Sequence, residues 1–306
     1  MSRSYETVLQ SLLERDPRLL VLTAENRAAI RRLPERLGSR FIDTGIAEQT
    51  LIGMSAGLAL RGRIPVAHAL AAFLTMRPFE FIRTDVGIAE LPVKLVGGVA
   101  GVLSEANGPT HQAIEDVALM RGIPHMRVFC PADLEDLLLG LEAILPAPWP
   151  CYIRYIDRPA VIRHAPDFVI GKSEVVSQGT DVGILVYGAL FREAFEATQL
   201  LMQAGLSVRL VNLRMLKPLD EMTVLETALT TRLVATVEDH FTTGGLFTIL
   251  AELLLRHGLT ARVLPIGFPG RWFTPALLPD VLRVEGLTSP EIARRITATL
   301  DALPSH

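Results

Sequence analysis

Three side chains in the first half of the sequence are of types that do chemistry, and each falls where the chain pattern allows a ligand. Glu48 lies in Gly45-Ile46-Ala47-Glu48-Gln49, where a short apolar run ends and a helix rich in small residues begins. The C-terminal edge of a parallel sheet is where α/β folds place ligands. A carboxylate there, among Ile46, Ile52 and Met54, is expected to be poorly solvated and so suited to share a proton with a basic ring nitrogen. A carboxylate at a helix start is equally explained by the helix dipole. His111 lies in Gly108-Pro109-Thr110-His111-Gln112, a glycine–proline turn that presents a proton shuttle just before a helix; a packed or capping histidine reads the same way. Phe73 is followed by Arg77, Phe79 and Arg83. At a strand end, a phenylalanine can stack on a flat heteroaromatic ring, or it can be core.

These residues need a frame, and the pattern around them supplies one. Apolar runs read as buried strands at Leu19–Leu22, Phe41–Thr44, Ile64–Ala69, Val93–Val99, Met126–Phe129 and Tyr152–Tyr155. Helical patterns separate them, at Glu48–Leu60, Phe79–Ile88, Ile114–Met120 and Ala132–Leu145. Continuous apolar strands alternating with helices predict a mostly parallel sheet covered on both faces. The pattern lapses between Arg158 and Gly179, with Pro159 and Pro166 as punctuation. A second alternation then runs from Val182 to Ile266. The expectation is an α/β protein of two domains, 1–165 and 166–306, each a mostly parallel sheet flanked by helices.

Composition narrows the function classes. A net charge of −3 on 306 residues gives no electrostatic reason to expect nucleic acid or an anionic membrane as partner. Cys130 and Cys151 lack metal-ligand spacing. No apolar run approaches a membrane span, and the first residues lack the apolar stretch of a signal peptide, so a cytoplasmic location is expected. The mean hydropathy of +0.34 suggests extensive burial, subunit interfaces included.

The order of the pieces is more specific than any one of them. Arg40-Phe41-Ile42-Asp43-Thr44-Gly45-Ile46-Ala47-Glu48-Gln49, Ala56-Gly57-Leu58-Ala59, Phe73 with Arg77-Pro78-Phe79-Glu80, Gly108-Pro109-Thr110-His111-Gln112, and Tyr152-Ile153-Arg154 follow one another. This resembles the pyrimidine-binding domain of the transketolase family, in particular the C-terminal subunit of split, two-gene transketolases, with deoxyxylulose-phosphate synthase sharing many of the pieces. Val237-Glu238-Asp239-His240, Gly244-Gly245-Leu246 and Gly286-Leu287-Thr288 resemble the family's C-terminal domain.

The resemblance implies a thiamine-diphosphate enzyme in which Glu48 bonds the aminopyrimidine ring nitrogen and drives its amino group into the imino form that activates the thiazolium carbon. It further implies that Phe73 stacks on that ring, with Ile46 and Arg77 beside it, and that His111 contacts substrate oxygens and assists proton transfer. Asn107 joins the substrate side. Arg154 and Arg158 are candidates for an anionic substrate group, or equally for interface ion pairs. The family's Gly-Asp-Gly metal motif is missing here. The resemblance therefore implies no metal ligands in this chain, Mg²⁺ and the diphosphate on an N-terminal partner subunit, and a heterotetramer of two such pairs.

Two departures bear on the substrate. Asn107 stands where sugar-handling members carry aspartate, and Gly98 or Val99 where they carry histidine. A site built for hydroxyls discriminates through such contacts, so the acceptor is expected to differ from an ordinary pentose phosphate. The rival expectations are a decarboxylating carboligase of the deoxyxylulose-phosphate-synthase type, a 2-oxoacid dehydrogenase β subunit, and a non-catalytic regulatory relative.

Overall fold

The computed structural model describes residues 3–303. Its strands are β1 (Leu19–Thr23), β2 (Phe41–Asp43), β3 (Ile64–Leu70), β4 (Lys94–Gly98), β5 (Arg127–Phe129), β6 (Cys151–Arg154), β7 (Glu174–Val175), β8 (Val182–Val186), β9 (Val208–Asn212), β10 (Met215–Lys217), β11 (Leu233–Phe241) and β12 (Val263–Phe268). They form a seven-stranded sheet in the order β10-β5-β6-β4-β3-β1-β2 and a five-stranded sheet in the order β12-β11-β8-β9-β7. Pairing is parallel throughout except at one edge of each sheet, where β10 and β7 run antiparallel. The expected two-domain α/β architecture is what the chain adopts.

The burial pattern explains the parallel pairing. β1, β8 and β9 are buried at every position, as strands with helices on both faces must be. The first helix, Tyr5–Arg15, is capped by Ser4 and Thr7 and buries Tyr5, Val8, Leu9, Leu12 and Leu13 on one face. One apolar cluster runs without a break from Leu22 and Ile52 of the first half to Leu185, Tyr187 and Leu250 of the second. The two halves therefore share a core and do not merely touch at a wet seam.

Two elements differ from the sequence expectation. Phe73 sits within a helix, Ala71–Met76, and not at the end of a strand; β3 stops at Leu70, and a run of small residues then suits helix better than sheet. The three residues of β10 join the first sheet although they follow β9 of the second. The triplet Met215-Leu216-Lys217, two apolar residues and a lysine between Arg214 and Pro218, carries too little periodicity to be read as a strand. Among the described residues no helix is long and apolar enough to cross a membrane.

Candidate active site

Four neighbouring parallel strands, β6, β4, β3 and β1, end on one edge of the seven-stranded sheet, with β2 beside them. The residues that follow them make the site. After β2, Gly45 takes a left-handed φ of +68°, a conformation that costs glycine little. The turn delivers Glu48 to the first position of the helix Glu48–Leu60. After β3, the helix Ala71–Met76 brings Phe73, with Arg77 closing it. After β4, the loop containing the Gly108 turn carries His111, whose backbone N–H donates to the Gly108 carbonyl at 3.0 Å.

Glu48, Arg77, Phe73 and His111 form one continuous chain of contacts. Arg77 donates from Nη1 to both Glu48 oxygens, at 2.9 and 3.1 Å. Its guanidinium lies over the Phe73 ring, 3.7 Å from the centroid, and the His111 ring meets the same phenyl edge-on at 5.0 Å between centroids. Thr110 Oγ1 lies 2.9 Å from His111 Nδ1, which fixes the ring's rotation and leaves Nε2 free of any protein partner among the described residues. Glu48 is 3% exposed, so its carboxylate is taken from water as expected. The apolar wall expected from Ile46 and Met54 is absent: both are exposed, Ile46 by 71%. The Gly45 turn leaves Ile46 on the surface, and a cation faces the carboxylate instead.

Three expected substrate residues are placed differently from one another. Asn107 spends its amide N–H groups on the Ser104 carbonyl and hydroxyl, at 3.0 and 3.2 Å, and so braces its own loop. Arg154 is buried and committed: Nε and Nη2 donate to Asp116 at 2.8 and 2.9 Å, Nη1 to Asp239 at 2.5 Å, and Nη2 also to the Ala113 carbonyl. Burial alone would raise the Asp116 carboxyl, yet the Arg154 charge and hydrogen bonds hold it below the ordinary carboxylate range. With four of five guanidinium N–H groups used this way, Arg154 joins the two halves of the chain and has little left for a substrate. Arg158 remains available. It donates to the Ala189 carbonyl at 3.0 Å, lies 3.6 Å from Glu193, and lines a cleft of about 390 Å³.

That cleft follows the ends of β1, β3, β4 and β6, on the same sheet edge as Glu48, but Glu48, Phe73, Arg77 and His111 are not among its lining residues. Its polar groups include Asn26, Tyr155 and Arg158; Leu70, Val96, Val99, Leu103 and Leu278 give it apolar walls. Val99 and Glu105 in its lining adopt positive φ, +49° for each. For a β-branched residue this is a strained conformation of the kind that gathers at ligand sites. His68 in the same wall is buried, which lowers its imidazole to about 4 and keeps it neutral; Tyr5 Oη lies 2.8 Å from its Nε2. Leu278 and Tyr155 carried no sequence signal as site residues. Asn26 follows β1 closely enough that the sheet-edge rule could have found it.

Comparison with known proteins identifies the family. Residues 1–158 match the transketolase pyrimidine-binding domain and residues 171–292 the transketolase C-terminal domain. A 6-deoxy-6-sulfo-D-fructose transketolase subunit from Clostridium sp. (strain MSTE9) is 37% identical over 82% of this chain and 79% of its own. A putative transketolase C-terminal section from Methanocaldococcus jannaschii is 32% identical over 97% and 95%. A 1-deoxy-D-xylulose-5-phosphate synthase from Synechococcus sp. (strain JA-2-3B'a(2-13)) is 36% identical over 98% of this chain, which spans only 47% of that enzyme. Among solved structures, a split-gene transketolase described as an inactive beta4 tetramer superposes with a TM-score of 0.84 at 33% identity, covering 97% and 96% of the two chains. The fold, the ordered site and these matches together make this chain a member of the transketolase family, spanning its pyrimidine-binding and C-terminal domains.

Proposed function

We propose that this chain is the pyrimidine-binding half of a two-subunit thiamine-diphosphate enzyme that transfers or joins a two-carbon unit onto an aldehyde or related acceptor. The observation that carries this reading is the seat of Arg77. A flat, N–H-donating cation lies on the Phe73 face while bonding the Glu48 carboxylate. A protonated aminopyrimidine ring needs the same two contacts, so the residues present fit the cofactor. When bound, thiamine diphosphate supplies a carbon centre that stabilises negative charge. Glu48 would hold the proton at the pyrimidine nitrogen, Phe73 would stack on the ring, and Ile46 would lie beside it. His111, with its free Nε2, would bind substrate oxygens and move protons.

The diphosphate and Mg²⁺ belong, in this reading, to a partner subunit. Met54 and Leu60 are exposed on the helix that carries Glu48 and Met76 on the one that carries Phe73, with Ile46 exposed just before the first and Phe81 and Ile88 exposed after the second; large apolar side chains left open to water are what a partner chain would cover. Two such pairs would form the heterotetramer. Val99 in the cleft offers no side-chain hydrogen bond to a hydroxyl, which favours an acceptor other than an ordinary pentose phosphate, and Arg158 offers a cationic end to any anionic group. The Clostridium relative is named for a sulfonated ketose, a substrate with an anionic end of its own. The deoxyxylulose-phosphate-synthase relatives keep a decarboxylating carboligase as the second reading, because they match nearly the whole of this chain.

The test is titration calorimetry of thiamine diphosphate with Mg²⁺ into the chain alone and into its mixture with a candidate partner subunit. Binding in the mixture only, with activity lost in Glu48→Gln, supports the split site. Tight binding by the chain alone refutes it. Pyruvate consumption with CO₂ release would select the second reading.

A further inference from the structure

The segment after His111 is gripped from both halves of the chain. Ala113 exchanges both backbone hydrogen bonds with Gly101, at 3.0 Å each. The Ile114 carbonyl accepts from Phe241 N–H at 3.1 Å. Ala118 N–H donates to His240 Nε2 at 3.3 Å. Arg154 bonds the Ala113 carbonyl and the Asp116 carboxylate, and is itself held by Asp239. The packing leaves no slack: a Cβ on Gly101 would lie 1.8 Å from Asp239 Oδ2, and one on Gly244 would lie 2.6 Å from the Ala118 Cβ. Asp239, His240 and Phe241 all belong to β11, at the end of the second sheet's long strand.

Stability alone is a poor reason for this arrangement. A buried guanidinium between two carboxylates recovers little of its desolvation cost, and an apolar trio of equal volume is often as stable. Among the described residues, Asp239 Oδ2 has no hydrogen-bond partner. What the charges add is a fixed geometry, because a fork donor bound on two sides admits one orientation. We propose that Asp239 is a positioning residue: by holding Arg154 it fixes the turn that presents His111, so that the C-terminal domain sets the site's geometry from the far side of the loop. The inference rests on the reading of His111 given above.

The test uses the full chain and its reconstituted pair. Asp239→Asn keeps the shape and removes the charge. The comparison variant is Leu9→Ala, buried on the first helix in an apolar cluster that holds none of residues 113–118. By hydrogen exchange on the full chain, the amides of Ala113, Ala118 and Phe241 are expected to exchange at least about tenfold faster in Asp239→Asn, with Leu51 and Ile52 unchanged. In the reconstituted enzyme, kcat is expected to fall about 10- to 100-fold, as for small displacements of a reacting group, while cofactor affinity stays within about twofold. Leu9→Ala is expected to lower Tm yet keep kcat per folded molecule. Unchanged exchange at the turn, or an equal kcat loss in both variants, overturns the proposal. If the wild-type pair is inactive, the function reading fails, and the exchange data still decide whether Asp239 holds the turn.

Discussion

Arg77→Ala separates a residue that holds the cofactor from one that stands in its place. The Arg77 guanidinium makes two hydrogen bonds to Glu48 from a single nitrogen, which count as one, and covers Phe73. A flat ring cannot take those contacts until Arg77 leaves. Hydrogen bonds to a charged group are worth about 1.5–3 kcal/mol and the cation–π contact about 0.5–1 kcal/mol. Arg77 is 42% exposed, so water screens the pair and roughly half of the sum survives. About 1–2 kcal/mol is then spent on each binding event, equivalent to about 5- to 30-fold in Kd. Arg77→Ala should therefore tighten thiamine diphosphate binding to the two-subunit mixture by about that factor, read by calorimetry at saturating Mg²⁺. The same variant leaves the Glu48 carboxylate buried without its cation, so the ligand-free chain should lose thermal stability while the bound form does not. Weaker binding in Arg77→Ala would refute the reasoning and make Arg77 a cofactor ligand, as the sequence first suggested. Binding unchanged within twofold would show that the ion pair is not in the way.

Other perturbations have equally definite outcomes. Glu48→Gln should keep cofactor affinity within about tenfold and lower kcat of the reconstituted enzyme at least about 100-fold, the scale of a lost proton-transfer group. Gly101→Ala forces a side chain onto Asp239 at a φ of +61°; it should unfold the chain or lower Tm sharply, by circular dichroism, well beyond the ~1 kcal/mol of an ordinary loop glycine. Val99→Gly should raise stability by up to ~1–3 kcal/mol, because glycine adopts positive φ without the strain that valine carries; an unchanged denaturation midpoint would remove the strain argument.

The pH dependence of stability tests a different network. Burial works against a charged His164, but its hydrogen bonds to the Asp133 and Glu174 carboxylates raise it to about 10. A group raised above its unfolded value contributes in full below about 6.5, and that contribution is lost as pH climbs toward 10. Tm should fall across that window, and His164→Gln should flatten the slope.

Strand periodicity located the frame because these strands are buried on both faces and so read as unbroken apolar runs. Glu48, Phe73 and His111 were legible because each follows a strand end, where chain direction alone predicts a ligand. Arg154 was legible as an arginine with a task but not as to which task. Its partners Asp116 and Asp239 lie far from it in sequence, and nothing in local pattern reports a buried ion triad. Ile46 was misplaced for a related reason: a left-handed glycine beside it reverses which side chains face inward, and periodicity does not register a single φ. Leu278 enters the cleft from the second half of the chain, a contact set by how the halves dock.

The crossing of β10 into the first sheet also fixes an order of assembly. β5 pairs with β6 on one side, and its other side waits for Met215–Lys217. During synthesis, the first sheet emerges with an open edge, the kind of surface on which chains aggregate, and it stays open until most of the second sheet has been made. A gene cut at the linker near residue 165 would yield a fragment with that edge permanently bare.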